Sequence, residues 1–343
     1  MKKDKQIGIM EVCGTHTMAI ARHGLRKILP ADVRMLSGPG CPICVTETAD
    51  IDRTILTAQD GRVILATFGD MLRVPGSFST LENERSKGSD IRVVYSPADA
   101  LAIAVDNPGR EVVFAGVGFE TTTPTVAATV LMAARRRVRN FSVLPFFKTV
   151  PNALRFILEQ GHAIGAPGIR GFLLPGHVSA IIGSKPYEFI ARNFGVPGVI
   201  AGFEPDDILA GVGMLRRLIT TGKAAIENQY VRAVTRGGNP SARAIMSRVL
   251  TEVDSSWRSI GVIPRSGMTF AAAYAEFDAT RRFIIKVPPS REPKGCQCGS
   301  ILLGVKRPRQ CALFGKACTP ARPVGPCMVS SEGACAAEFK YGE

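Results

Sequence analysis

Nine cysteines and four histidines carry most of the chain's chemical potential, and the cysteines are clustered. Residues 10–20, MEVCGTHTMAI, place Cys13 three positions before His16, with Gly14 between them and Thr15 and Thr17 flanking the histidine. Cys13 closes an apolar run. It therefore sits at a predicted strand end, where Gly14 permits a tight turn and Thr15 or Thr17 could cap the next helix. A lone cysteine in such a turn is a soft metal ligand or a nucleophile. His16 suits a proton donor, a hydrogen-bond partner of a bound ligand, or an ordinary satisfied turn residue. Residues 37–46, SGPGCPICVT, hold Cys41 and Cys44 in C-x2-C spacing between a predicted strand and a predicted helix. A helix N-terminus favours thiolate and Pro42 restricts φ. The pair reads as a dithiol/disulfide couple or as half of a metal site. Cys13 is expected at the same sheet edge as Cys41 and Cys44.

Six of the nine cysteines fall between residues 296 and 335: Cys296, Cys298, Cys311, Cys318, Cys327 and Cys335, with no histidine among them. So dense a set suits a four-cysteine zinc site or an iron–sulfur cluster. The opening C-x-C is unusual for a zinc ribbon, and thiols beyond four could exchange electrons with a cluster, so iron–sulfur is the stronger reading. In GFETTTP (118–124), Thr121 and Thr122 place hydroxyls at a helix start with Pro124 near its first position. Free N–H groups there can bind a small anion, although capping alone explains the threonines. PGHVS (175–179) follows another strand. Walker A, G-x-S-x-G and HExxH patterns are absent.

The elements that must position these groups alternate. Candidate strands are 6–12, 33–37, 62–68, 91–95, 111–117, 141–145, 171–175 and 197–203, with helical stretches such as 98–106, 123–137, 151–160 and 205–221 between them. This predicts an α/β fold of two similar layered domains with mainly parallel sheets, plus a small C-terminal iron–sulfur module. Ligands bind where strand-to-helix turns collect at one sheet edge. VVFAGVGFETTTP (112–124) and GVIAGFEPDD (198–207) echo each other, and VILATFGDM (63–71) more weakly, which suggests corresponding turns in two related halves. Residues 222–290 are less regular, with a helix expected at 240–252 and a short apolar run at 283–287. VPPSREPKG (287–295) reads as a linker. The divisions that follow are 1–110, carrying Cys13 and the Cys41/Cys44 pair, 111–222, carrying GFETTTP, PGHVS and AGFEP, and 223–343, ending in the cysteine-rich module.

Apolar content of 45% and charged content of 21% describe a globular chain. The basic start lacks the sustained apolar core of a signal peptide, and no run approaches the ~18 apolar residues of a membrane span. A cytoplasmic location is expected, where clustered cysteines bind metal or do redox work. The net charge of +14 invites nucleic acid. The basic residues are spread out, however. The run Arg135–Arg137 suits the C-terminal end of a helix dipole, and one Trp and five Tyr offer little for base stacking. Neither a nucleic-acid nor a membrane partner is expected.

Taken together, MEVCGTHT, GPGCPICV, GFETTTP, PGHVS, AGFEP and the terminal CQCG, LFGKAC and SSEGACAA resemble the HypD family of hydrogenase maturation factors, in order, over residues 10 to 337. The resemblance implies a scaffold for the Fe(CN)2CO group of [NiFe]-hydrogenases, working with a small HypC-type chaperone and a HypE-type cyanide donor. The hydrogenase large subunit would be reached through the chaperone. It implies Cys13 as iron ligand, shared with a chaperone cysteine, and Cys41 and Cys44 as the redox-active pair. A [4Fe–4S] cluster would be held by C-terminal cysteines: Cys298, Cys311, Cys318 and Cys335, with Cys296 as alternative ligand or exchange partner and Cys327 outside the pattern. His16, Thr121 and Thr122 would help hold the diatomic ligands. Such a protein is a redox-active assembly scaffold more than a stand-alone turnover enzyme. The competing readings are a stand-alone iron–sulfur protein-disulfide reductase, which leaves Cys13 and His16 without a role, and a zinc-containing nucleic-acid module, which rests only on the charge and the C-terminal cysteines.

Overall fold

The computed structural model describes residues 6–161 and 168–342. In chain order the strands are β1 (Ile7–Glu11), β2 (Val33–Ser37), β3 (Val63–Thr67), β4 (Ile91–Val93), β5 (Glu111–Gly118), β6 (Phe141–Lys148), β7 (Ile169–Pro175), β8 (Gly198–Ala201), β9 (Ile226–Asn228), β10 (Leu250–Trp257) and β11 (Gly261–Phe270). They form two sheets of order β2-β1-β7-β8-β9 and β10-β11-β6-β5-β3-β4. Pairing is parallel except in the β10–β11 hairpin and where β11 joins β6. The α/β architecture with mainly parallel sheets is thus as expected.

Numbered by their own chain order, the first four parallel strands of each sheet run second, first, third, fourth, with β9 added as a fifth in one, so the layers are similar in topology. The sequence echo does not follow that similarity. GFETTTP leaves the third strand of its sheet (β5), whereas AGFEP leaves the fourth of the other (β8), so those turns are not equivalent. The sheets also interleave along the chain: β3 to β6 lie between β2 and β7, and a division at residue 110 falls between β4 and β5 of one sheet.

Alternate side chains of each strand enter different cores, which explains why the strands read as unbroken apolar runs. Met10, Phe172, Leu174 and Ile200 of one sheet share a central core with Val63, Leu65, Val113 and Leu144 of the other. Their neighbours Ile64, Val112 and Phe114 face an outer core with Val126 and Val130 of the helix Thr123–Arg136. Ile7, Ile9 and Leu173 face another with Val212 and Leu215 of the helix Pro205–Thr220. The central core extends into the C-terminal module, taking in Trp257, Cys298, Cys318, Cys327 and Cys335 beside Cys41 and Cys44.

In the 222–290 region the expected helix is present, with a different end, and a hairpin follows it. The helix Pro240–Val249 stops short of 252, and the chain turns directly into the β10–β11 hairpin, which extends the second sheet. Residues 283–287 form no regular element. The segment 287–295 is a strap tied at several points. Ser290 Oγ donates to Asp52 at 2.6 Å, the Arg291 N–H to Ser77 Oγ at 2.7 Å, and Glu292 accepts from Thr48 Oγ1 at 2.6 Å. Among the described residues, no helix is long and apolar enough to cross a membrane.

Candidate functional site

Where chain order reverses between β1 and β7, the parallel sheet has its natural crevice. Cys13 stands at that end of β1. Its extended backbone (φ −146°, ψ 127°) starts the helix Gly14–Arg22, so the cysteine itself occupies the N-cap. The threonines do other work. Thr17 Oγ1 donates to the Cys13 carbonyl at 3.2 Å, and Thr15 Oγ1 donates to Glu332 at 2.8 Å. A helix N-terminus favours a thiolate, but here burial dominates. Desolvation, then the nearby Glu332 carboxylate, push the Cys13 thiol up to about 11, against donors from His16 and Thr15.

The adjacent turn leaves β2. The Gly14 N–H donates to the Gly40 carbonyl at 3.0 Å, and a Cβ at Gly40 would overlap the backbone of Val12 and Cys13. That close approach is why Gly-Pro-Gly precedes Cys41. Cys41 caps the one-turn helix Pro42–Val45 and is disulfide-bonded to Cys44, their Cα atoms 5.3 Å apart. Two donors address Cys41 Sγ, the Cys44 N–H at 3.2 Å and the Ser330 hydroxyl at 3.3 Å. Donors so placed stabilise negative charge on sulfur.

Ser330 belongs to a loop that the resemblance quoted within SSEGACAA without giving it a role. Ser331 donates to Asp70 from its N–H (2.9 Å) and its hydroxyl (2.7 Å), while Glu332 packs on Gly14, where a Cβ would overlap its side chain. One loop of the cysteine-rich module therefore touches the Cys13 turn, the Cys41 turn and the turn after β3. Asp70 lies in the weakest copy of the sequence echo, which was the available signal for it.

His16 is fully buried and reaches the turn after β8. The Gly202 carbonyl can only accept, so Nε2 carries the proton and donates to it at 2.9 Å. Nδ1 is buried without a partner. Burial, against the neighbouring Gly202 and Ala201 groups, holds the ring down to about 4, so it is neutral at physiological pH and presents Nδ1 as an acceptor. Phe203 lies against both His16 (4.8 Å between centroids) and His177 (3.8 Å). Thr121 is exposed and Thr122 packs over Gly118. The buried polar side chains of that turn are Glu120 and Thr123. Glu120 accepts from the Val150 N–H at 3.0 Å, its other oxygen is unpartnered, and burial pushes it up to about 7.

All six C-terminal cysteines line one small cavity with Ile301, Leu313, Phe314 and Met328. Cys327, omitted from the expected ligand set, is fully buried among them, its sulfur in hydrogen-bond contact with Cys298, which also meets Cys296. Gly325 leaves no room for a Cβ beside the Cys296 sulfur. Burial and their sulfur neighbours make Cys296, Cys298, Cys327 and Cys335 hard to ionise. Cys296 is raised by its bond with Cys298 and by burial, and Cys335 by burial and then by its cysteine neighbours. Soft donors in an apolar pocket fit an iron–sulfur cluster in kind, and a bound metal would remove their protons. Among the described residues no three His, Cys, Asp or Glu side chains are already arranged around one ion position.

Two similar parallel layers, a buried cysteine turn, a cysteine pair and a six-cysteine module define an α/β protein whose cysteines gather at sheet-edge turns and in one C-terminal cavity. The HypD family model, described as the hydrogenase formation hypA family, matches residues 1–342. The hydrogenase maturation factor HypD of Cupriavidus necator is 48% identical over 342 residues, covering 98% of this chain and 90% of its own length. Those of Azotobacter vinelandii and Rhodobacter capsulatus are each 47% identical, over 341 and 344 residues, covering 98% and 99% of this chain and 90% of their own lengths. The chain belongs to the HypD family of hydrogenase maturation factors.

Proposed function

We propose that this protein is a scaffold on which the iron of the Fe(CN)2CO group is dressed for [NiFe]-hydrogenases, with Cys13 as its thiolate ligand. The observation that carries the reading is the meeting of three turns: Cys13, the Cys41–Cys44 pair and the Ser330–Glu332 loop of the cysteine module. The iron is cargo. Cys13 starts protonated and gives up its proton on binding the metal. A cysteine of a small HypC-type chaperone would share the iron, a HypE-type partner would supply cyanide, and the hydrogenase large subunit would receive the product through the chaperone. The N-terminus of the Gly14 helix offers positive potential to anionic ligands; His16, neutral with its Nε2 proton given to the Gly202 carbonyl, has only an acceptor at Nδ1 and would take a hydrogen bond there, not give one to the diatomic ligands.

Cys298, Cys311, Cys318 and Cys335 are the first choice to hold a [4Fe–4S] cluster, with Cys296 and the fully buried Cys327 beside them. Such a cluster, when bound, supplies single electrons. Opening the Cys41–Cys44 disulfide takes two electrons and two protons and yields two thiols. Cys41 is 2% and Cys44 0% exposed, which favours an internal role over attack on an external protein disulfide.

The test is infrared spectroscopy of the full chain, purified anaerobically with its small chaperone. Bands in the metal-carbonyl and metal-cyanide stretching region are expected, and Cys13→Ala should abolish them while the brown cluster absorbance stays. A spectrum without such bands, from protein that still carries its cluster, would overturn the scaffold in favour of the disulfide reductase. Cys41→Ala should lower hydrogenase maturation at least tenfold; normal maturation would sink the dithiol step.

A further inference from the structure

Strand β2 is at the edge of its sheet. A cavity of about 260 Å³ lies between it and the cysteine module. All of Val33–Ser37 line it, although their side chains alternate between the faces of the sheet, so the cavity follows the unpaired edge of the strand. Gly304, Lys306, Arg307 and Glu338 of the module line the same cavity, as does Arg26 of the one-turn helix Leu25–Ile28. The charged side chains are thus the cations Arg26, Arg34, Lys306 and Arg307 against a single carboxylate, Glu338. Both oxygens of Glu338 are already engaged, Oε2 by Arg26 at 3.0 Å and Oε1 by Arg309 at 2.7 Å. Lys306 Nζ donates to the neutral Gln297 side chain at 2.8 Å. Among the described residues neither Arg34, Lys306 nor Arg307 pairs with a carboxylate, and the Arg34 Nε is buried with no acceptor. Glu11 accepts from Ser37 at 3.4 Å but does not itself line the cavity. Like charges around one small cavity repel each other, and a buried cationic donor without an acceptor is costly.

We propose that this cavity binds a small multivalent oxyanion, of the polyphosphate or polycarboxylate class. Guanidinium groups present paired N–H donors that match phosphate and carboxylate oxygens, and a lysine adds a point charge. A multivalent anion answers Arg34, Lys306 and Arg307 together, where a lone carboxylate answers one of them. Unpaired N–H groups along the β2 edge are further donors. The volume lies below the range of about 300–1,000 Å³ typical of pockets for drug-sized ligands, which suits an ion and leaves no room for an added strand. No cysteine lines the cavity, so the site stands apart from the thiol centres and does not depend on what they hold. A bound ion bridges β2 to segment 304–308 and so fastens the module to the sheet. Ser37, in the same wall, leads directly into the Gly38-Pro39-Gly40 turn that carries Cys41.

The experiment is isothermal titration calorimetry of inorganic pyrophosphate, and separately of citrate, into the anaerobically purified full chain at low salt. Wild type is compared with Arg34→Gln, Arg307→Gln and Arg136→Gln. Arg307 is exposed, so its variant decides if Arg34→Gln fails to fold. Arg136, exposed on the helix Thr123–Arg136, lowers the net charge equally without touching the cavity. One saturable site per chain is expected, weakened at least tenfold by Arg34→Gln and by Arg307→Gln, as the loss of a charge-assisted hydrogen bond implies. Arg136→Gln should stay within about twofold of wild type, because distant exposed charges are screened. Pyrophosphate should also raise the unfolding temperature of wild type more than that of Arg307→Gln. Tighter binding of pyrophosphate assigns the site to a phosphate ligand, and tighter binding of citrate to a polycarboxylate; either supports the proposal. No saturable binding of either ion up to about 1 mM would overturn it. Equal weakening in all three variants would do so too, since net charge alone would then account for the binding.

Discussion

Burial outweighs the helix dipole at Cys13, and this has a measurable consequence. On the proposed reading of Cys13 as iron ligand, a thiol held at about 11 must lose its proton to bind, so one proton would leave per ion bound at neutral pH. Affinity should rise about tenfold per pH unit, without the plateau near 9.0 that an exposed cysteine would give. Titration with Co(II), read by its thiolate charge-transfer band, checks this, and a plateau near 9.0 would contradict it. His16 makes the opposite kind of prediction. Its folded value of about 4 lies below its ordinary 6.5, so the unfolded chain takes up a proton first as pH falls. The contribution to stability is complete above 6.5 and is lost as pH falls through about 4, amounting to roughly 3 kcal/mol. Urea unfolding across that window should lose this part of its pH slope in His16→Gln. Identical slopes would show that the imidazole does not stay neutral in the fold.

At the scale of elements, the site depends on two turns whose backbones touch. Gly40 is required by sterics, since its missing Cβ is the space occupied by Val12 and Cys13. Gly40→Ala cannot be absorbed by a flexible side chain. It should cost about 1–3 kcal/mol or more and separate Cys13 from the Cys41 turn. Denaturant unfolding measures the first effect and loss of Cys13-dependent metal binding the second; wild-type values for both would show that the turns can part without harm. The β10–β11 hairpin matters for a related reason. Its closing turn carries Trp257 into the central core beside the cysteines, although much of the hairpin itself is exposed.

For the molecule as a whole, the cysteine module is seated on the sheets and does not stand apart. Gly304 packs on Met10 and Leu36 of β1 and β2, and Arg26 pairs with Glu338 at 3.0 Å. The strap that delivers the module is anchored on Asp52, itself 1% exposed and accepting from the Ser77 N–H, the Ser77 hydroxyl and the Ser290 hydroxyl. Asp52→Ala should lower stability by about 1–3 kcal/mol and speed tryptic cleavage at Arg291 and Lys294 at least tenfold. Unchanged cleavage would mean that the strap is held elsewhere.

Eight strands were legible in the sequence because strands buried on both faces read as continuous apolar runs, bounded by glycine turns. The motif cysteines were legible because spacing such as C-x2-C is a local property. The hairpin was missed because LTEVDSSW and GVIPRSGMTF leave many side chains in water, so no such run marks them. Strand order, the interleaving of the sheets and the seat of the module depend on contacts between distant segments, which local pattern does not encode. The same holds for Glu332 beside Cys13 and Cys327 among the other sulfurs. Sequence alone determined which residues could do chemistry and the class of element each would end. Tertiary structure decided which of them meet, because only packing sets the burial that keeps Cys13 protonated and His16 neutral.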